Sequence, residues 1–336
     1  MNHKRWTKEE EKFLKEHYSD DYVFLCKSLG RSHSAVKTKL YELNLRRTKS
    51  GSVPKIVEPT EQMTYNRSDM INALRLEGYS VERPKMKTDE EFRLPLVKPT
   101  GKIKFGIVSD SHLGSKFQQL THLNTFYQVC EKQGITMIVH AGDVCEGNGK
   151  LYRGQSYEMF LFGADAQREY ICKNYPKYKG VKTYMIGGSH DYSFFKTEGY
   201  DILDAIAQRR EDLVYLGNAG AYLHINGLKI YLHHPSGGVP YARSYRLQKL
   251  IEQIAPENKP HILISGHLHI PAYIPGYRNV EGFQVGCFQS QTPYLKAKGL
   301  FPWIAGLIVE VETDKKGIRS IQSRWYPYYV PLKNDF

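Results

Sequence analysis

The sequence predicts a layered α/β domain preceded by a small all-helical unit. Three observations carry this expectation. β-branched runs recur at 102–108, 136–139, 181–186, 229–232 and 261–264, and helix-like stretches such as 118–132 and 156–174 separate some of them. Each run ends at a short block rich in Gly, Asp and His. Residues 5–45, in contrast, hold three short segments of helical periodicity and no strand pattern.

The helical unit comes first. Thr7 followed by Glu10 is a capping box that opens the first helix, with Trp6, Phe13, Leu14 and Tyr18 at helical spacing. Tyr22, Val23, Leu25, Cys26 and Leu29 form a second apolar set that Gly30 closes. Ser32 or Ser34 caps a third helix with Ala35, Val36, Leu40 and Leu43 on one side. Three helices with a tight Gly-bearing turn before the third is a helix-turn-helix arrangement. The stretches Arg5-Trp6-Thr7 with Glu10-Glu11, and Leu29 to Leu40, resemble Myb/SANT-like DNA-binding domains. That resemblance implies a DNA-binding unit over 1–47, contacting phosphates through Lys37, Lys39, Arg46 and Arg47. Residues 1–50 hold twelve Lys/Arg against seven Asp/Glu, a net +5. A plain three-helix packing module with a solvated basic face is the alternative.

Residues 48–100 read as a linker. The first part, 48–65, is polar and bears Pro and Gly. A short helix is expected over 67–78 and an extended, charged stretch over 80–100. The remainder, 101–336, is the expected catalytic domain. It closes on a β-hairpin, 303–312 and 318–325, around Asp314-Lys315-Lys316-Gly317.

Bulk properties narrow the class. The formal charge of +12 makes polyanions the first candidate partners. No apolar run reaches the roughly 18 residues of a membrane span. The first residues carry no apolar leader segment. A cytoplasmic setting and no membrane partner are therefore expected. The five cysteines, Cys26, Cys130, Cys145, Cys172 and Cys287, form no CxxC pair and are expected to be reduced.

The chemistry resides in five blocks: Ser109-Asp110-Ser111-His112, Gly142-Asp143, Gly188-Ser189-His190-Asp191, His233-His234-Pro235 and Gly266-His267-Leu268-His269. Each stands at the carboxyl end of an apolar run, where loops of layered α/β domains carry their sites. Carboxylates suit hard divalent cations, and imidazole suits ions of the Zn, Fe and Mn type. Two such ions, about 3.5–4 Å apart, can clamp the attacking and leaving oxygens of an in-line displacement at phosphorus. A single block is weak, because a lone His at a strand end is usually structural. All five in this order are specific.

These blocks resemble the calcineurin-like metallophosphoesterase superfamily, over about residues 103–270. The resemblance implies a four-layer αββα sandwich completed by the last strands, holding two divalent ions. Mn²⁺ is the expected ion, with Zn²⁺, Fe²⁺ and Mg²⁺ as alternatives. By the same resemblance Asp110, His112 and His269 bind the first ion, His233 and His267 the second, and Asp143 bridges them. His233 is preferred to His234, which is then placed near the substrate. His190 is implied as the acid that protonates the leaving oxygen, oriented by Asp191. The sequence departs from the family at Ser189, which stands where the family has Asn and offers a shorter, weaker neutral ligand.

Asp110 to Ser115 looks closer to the nuclease side of the superfamily, which includes repair exonucleases and small subunits of archaeal replicative polymerases. The protein-phosphatase branch has an Arg before its Gly-Asn-His-Glu block and a His-Gly-Gly loop, and neither is present. Basic and aromatic residues interleave over 146–157, including Arg153, and over 241–246, as strand-binding surfaces require. The leading expectation is a nuclease acting on DNA, with a domain order that would suit a phage or mobile-element protein. A phosphoesterase of cyclic nucleotides or phosphomonoesters is the second reading. A DNA-binding protein with a degraded metal site is the third.

Overall fold

The computed structural model describes residues 6–18, 20, 22–43, 45, 88–94, 101–148, 156–314 and 317–336. Most of the expected linker, including the helix over 67–78, lies outside these residues, as do Arg46, Arg47 and Arg153. The chain divides into two compact units, 1–81 and 82–336.

The first unit contains three helices, α1 (Lys8–His17), α2 (Tyr22–Leu29) and α3 (His33–Glu42). The Thr7–Glu10 capping box forms as the sequence predicts, and Ser32 caps α3 through the N–H of Ala35. Leu14, Leu25, Val36 and Leu40 are the buried core, ringed by Trp6, Phe13 and Leu29. Arg31 pairs with Glu10 at 2.8 Å and lies over the Trp6 ring. Lys39, expected to contact phosphates, is instead held by Glu11 at 2.7 Å and Glu42 at 3.3 Å, while Lys37 is exposed.

The second unit is built on one sheet. Its strands are β1 (Thr88–Arg93), β2 (Lys102–Val108), β3 (Met137–His140), β4 (Lys182–Gly187), β5 (Leu213–Ile225), β6 (Leu228–His233), β7 (Ile262–Ser265), β8 (Ala272–Tyr277), β9 (Val280–Gln284), β10 (Ala305–Asp314) and β11 (Gly317–Pro327). Their order is β11-β10-β2-β3-β4-β5-β6-β7-β9-β8, and β1 pairs parallel to β5. The five anticipated strands and the terminal hairpin are present. β1 joins this sheet from within the stretch assigned to the linker.

Period-two alternation explains the layers. Ile103, Phe105 and Ile107 of β2, Leu228, Ile230 and Leu232 of β6, and Leu307, Val309 and Val311 of β10 all enter one central core. The curled sheet therefore folds back on itself, and its two halves face each other across these residues. The opposite face of the β2–β5 half packs beneath helices α4 (Leu120–Lys132), α5 (Ala164–Asn174), α6 (Asp191–Glu198) and α7 (Ile202–Ala207) through Leu123, Phe126, Ile171 and Phe194. The far half is covered by α8 (Tyr245–Gln253), whose Leu247 and Ile251 meet Tyr231 and Leu263. The result is the expected αββα sandwich. The helix expected over 156–174 is interrupted. Ser156–Glu158 forms a 3₁₀ turn, and α5 starts only at Ala164, after Gly163 at φ 87°.

Candidate metal centre

The ends of β2, β3, β4, β6 and β7 converge, and their loops bring the expected blocks together. Asp110, His112 and His269 form one group of ligand atoms within 4.8 Å of one another, and Asp143, His234 and His267 form another. His112 and His190 also lie within this distance of Asp143, which joins the two groups. Asp110, His112, Asp143 and His269 are buried.

The backbone is bent to present these side chains. Asp110, His112, Asp143, His267 and His269 all adopt positive φ, between 46° and 76°. Such conformations cost on the order of 1 kcal/mol each and persist only when the surroundings over-determine them. Here the neighbouring loops supply the restraint: the N–H of Asp110 donates to Gly142 O at 2.9 Å, and that of His112 to Asp143 O at 3.1 Å. Two glycines are required by close approach. A Cβ on Gly142 would collide with the His234 ring, and one on Gly188 with the Asp143 carboxylate.

The second coordination layer fixes imidazole tautomers. His112 Nδ1 donates to Glu146 Oε2 at 3.0 Å, and Gln289 Nε2 holds the same oxygen at 3.2 Å. His234 Nδ1 donates to Ala141 O at 2.7 Å, and His267 Nε2 donates to Gly237 O at 2.7 Å. Each imidazole is thereby left with its other nitrogen to offer to a cation. The residues fit two cations by a direct geometric test. His112 Nε2 and His269 Nε2 lie 3.2 Å apart, nitrogen against nitrogen. His234 Nε2 is buried 3.0 Å from Asp143 Oδ2 yet makes no well-aligned hydrogen bond. Two imidazole nitrogens and a carboxylate brought this close suit a shared cation, with protons holding the same contacts in its absence.

The electrostatics agree. Burial would raise the carboxyl of Asp143, but His234, His190 and His112 beside it hold it well below the usual carboxylate range. Burial opposes charge on His234, yet Asp143 and Asp110 push it up to about 9. Without cations, imidazolium protons neutralise the buried carboxylates. His140, one layer below, is held down to about 3 by burial and accepts or donates only within the pair with Ser111, at 3.0 Å.

At two positions the geometry differs from what the sequence led one to expect. His234, not His233, stands beside Asp143. β6 alternates, so Leu232 faces the central core and His233 lies on the opposite face of the sheet beside the buried Tyr231. The chain leaves the strand after His233, which turns His234 inward, with its N–H on Ala219 O at 2.7 Å. The Asp191 carboxylate, expected on the His190 ring, is turned to the backbone instead. It accepts from the backbone N–H groups of Val144, Cys145 and Gly188 at 2.9–3.1 Å and ties the Asp143 loop to the Gly188 loop. His190 Nδ1 donates instead to Glu146 O at 2.6 Å, and its backbone N–H donates to Asp143 Oδ1 at 2.8 Å. Ser189 Oγ lies 3.4 Å from Asp143 Oδ2, on the side of the second group.

Glu146 is the residue that sequence reasoning missed as part of this centre. Its position three residues after Asp143 is the one signal that could have placed it there. The ligand groups open into a pocket of about 340 Å³ lined by His112, Asp143, Glu146, Ser189, His190 and His267, among others.

The sequence profile of the calcineurin-like phosphoesterase superfamily domain matches residues 103–283. The DNA polymerase II small subunit of Methanothermobacter thermautotrophicus is 24% identical over 240 residues, which cover 58% of this chain and 49% of that protein. The chain thus spans about half the length of that relative. Among solved structures, a novel phosphatase from Mycoplasma pneumoniae aligns at 15% identity and TM-score 0.38, covering 67% of this chain and 94% of that one. A predicted phosphoesterase from Streptococcus pneumoniae aligns at 15% identity and TM-score 0.33, over 68% and 98%.

Proposed function

The chain belongs to the calcineurin-like phosphoesterase superfamily, and from that premise we propose that it is a divalent-metal-dependent phosphodiesterase acting on nucleic acid, DNA first. The observation that carries this reading is the pair of ligand groups joined at Asp143, with His190 beside them in the same pocket. Asp110, His112 and His269 would hold one ion, His234 and His267 the other, and Asp143 both, with Ser189 at the margin of the second. Bound there, two such ions supply Lewis-acid polarisation of a phosphoryl oxygen and activation of water. Mn²⁺ is the first ion to try.

The protein's own contribution centres on His190. A carbonyl oxygen can only accept, so Glu146 O fixes a proton on His190 Nδ1. Burial disfavours charge on His190, but Asp143, Glu146 and Asp191 raise its pKa above the ordinary histidine value. Its Nε2 is the ring position left to carry a proton to a leaving oxygen. Nucleic acid as substrate is supported by the name of the polymerase-subunit relative, the charge of +12 and the exposed Lys37 on α3.

A leaving-group comparison tests the assignment. DNA expels a poor alkoxide and needs a general acid, whereas bis-p-nitrophenyl phosphate expels a stabilised phenolate. With Mn²⁺, His190→Ala is expected to lose about 10²–10⁴ in kcat on DNA and markedly less on the nitrophenyl ester. Equal losses would remove His190 from the acid role. Wild-type protein inert on both substrates would sink the phosphodiesterase reading.

A further inference from the structure

Beside the catalytic pocket lies a second, larger cavity of about 670 Å³. Its walls carry Phe117, Phe301, Trp303, Tyr328, Tyr329 and Phe336. Among the described residues that line it, the charged ones are Lys116 and Lys333, and none is acidic. The two cavities adjoin, because Phe301 and Pro302 line both. The backbone couples them as well: the N–H of Trp303 donates to the carbonyl of the ligand His269 at 2.8 Å.

Much of this aromatic surface faces solvent. Phe301 is 75% exposed, Tyr329 79% and Phe336 50%. Clustered exposed aromatics mark binding surfaces more often than solitary ones do. Residues 328–336 form neither helix nor strand, yet they are held firmly. Gln119, itself buried, exchanges two hydrogen bonds with the backbone of Leu332, at 2.9 and 2.8 Å. Gln118 Nε2, also from a buried side chain, donates to Asp335 O at 2.8 Å, and the Asp335 carboxylate accepts from the N–H of Thr121 at 2.7 Å. Tyr328 stacks on His122 at 4.5 Å and Phe336 on Phe160 at 4.6 Å. Two buried glutamine side chains thus tie the segment that carries Tyr328, Tyr329 and Phe336 to the body of the domain beside the candidate metal centre.

We propose that this groove takes the unpaired bases of a single-stranded nucleic acid whose backbone continues into the metal centre. The inference rests on the phosphodiesterase reading and names the form of its substrate. Flat aromatic platforms stack any base, and flanking lysines meet the phosphates between them. A duplex keeps its bases stacked inside and offers these rings nothing. An apolar peptide would satisfy the rings but would make no use of the lysines or of the opening onto a phosphoryl site.

Photo-cross-linking tests the groove. The full chain, in EDTA to prevent cleavage, is mixed with a strand of about 15 nucleotides, within the ~4–16 of single-strand site sizes, bearing 5-iodouracil. It is then irradiated and mapped by mass spectrometry. Adducts are expected on peptides containing 301–303 and 328–336. Tyr329→Ala should cut their yield roughly five-fold or more, and Tyr329→Phe should restore it, because the ring and not the hydroxyl stacks. Adducts confined to other peptides would overturn the proposal, as would equal yields from wild type and Tyr329→Ala, or equal labelling by the same sequence in a duplex. Hydrolysis of bis-p-nitrophenyl phosphate by the wild type separates the two failures. Activity without groove adducts discards the groove alone, and groove adducts without activity discard the phosphodiesterase reading alone.

Discussion

His233 and His234 are adjacent, share a side-chain type and meet opposite environments. Burial, together with His234 and His267, lowers His233 to about 4, so it sits as a neutral ring beside Tyr231. His234 is charged in the absence of cations and touches Asp143. Their functions separate accordingly. Equilibrium dialysis with Mn²⁺ should find two ions on wild type, two on His233→Ala and one on His234→Ala. Loss of an ion from His233→Ala, with His234→Ala unaffected, would reverse the assignment. Residue types were legible in the sequence because every block falls at a strand end. Which of two neighbouring histidines turns inward was not, because that depends on the residue at which β6 stops. Glu146 was hidden for another reason. A carboxylate that orients a ligand carries no spacing of its own, and its partner His112 is 34 positions away.

Elements show the same division. Five short apolar strands announced themselves by β-branched runs. β5, the longest at 13 residues, did not, because Gly217-Asn218-Ala219-Gly220 interrupts its apolar pattern. Those small residues allow the sheet to bend, with Ala219 at φ 65° and Gly217 at φ 131°. Where β5 begins, Arg210 acts as a clamp. Its guanidinium is bidentate on Asp212, at 2.7 and 2.6 Å, and donates to Cys172 O at 2.8 Å and Pro176 O at 3.2 Å around the end of α5. Removing one partner of such a pair strands the other. Asp212→Asn is therefore expected to cost stability toward the lower end of the ~3–5 kcal/mol of a buried pair, since solvent reaches part of Asp212. The pH dependence has a definite sign. Burial would raise Asp212, but Arg210 lowers it below the ordinary 3.8. Its contribution is thus present above that value and fades as pH falls through the depressed one. Calorimetry should show a Tm gap between wild type and Asp212→Asn that is full at neutral pH and shrinks below about pH 4. A gap that widens in acid would contradict the clamp.

At the scale of the molecule, the chain forms two compact units. The second has its own cores and supplies every residue of the candidate metal-binding groups from its own loops. Among the described residues no helix is long and apolar enough to cross a membrane. The first unit contributes a closed three-helix core and a basic surplus, +5 over residues 1–50, with Lys37 exposed on α3 and Lys39 committed to Glu11 and Glu42. If that unit delivers DNA, its effect is electrostatic and must depend on salt. Each cation that neutralises a duplex phosphate contributes about −0.9 to the slope of log affinity against log salt concentration. Removing residues 1–81 should therefore weaken duplex binding, most at low salt, and flatten that slope by about one for every phosphate no longer neutralised. Turnover of bis-p-nitrophenyl phosphate should stay within about two-fold, because so small an ester needs only the metal centre and no extended array of phosphate-binding cations. Lys37→Glu in the full chain should reproduce part of the slope change, and Lys39→Glu should instead lower the melting temperature of the first unit by breaking its ion pairs. An unchanged slope in the truncated protein would remove DNA binding from residues 1–81 and leave them a packing module.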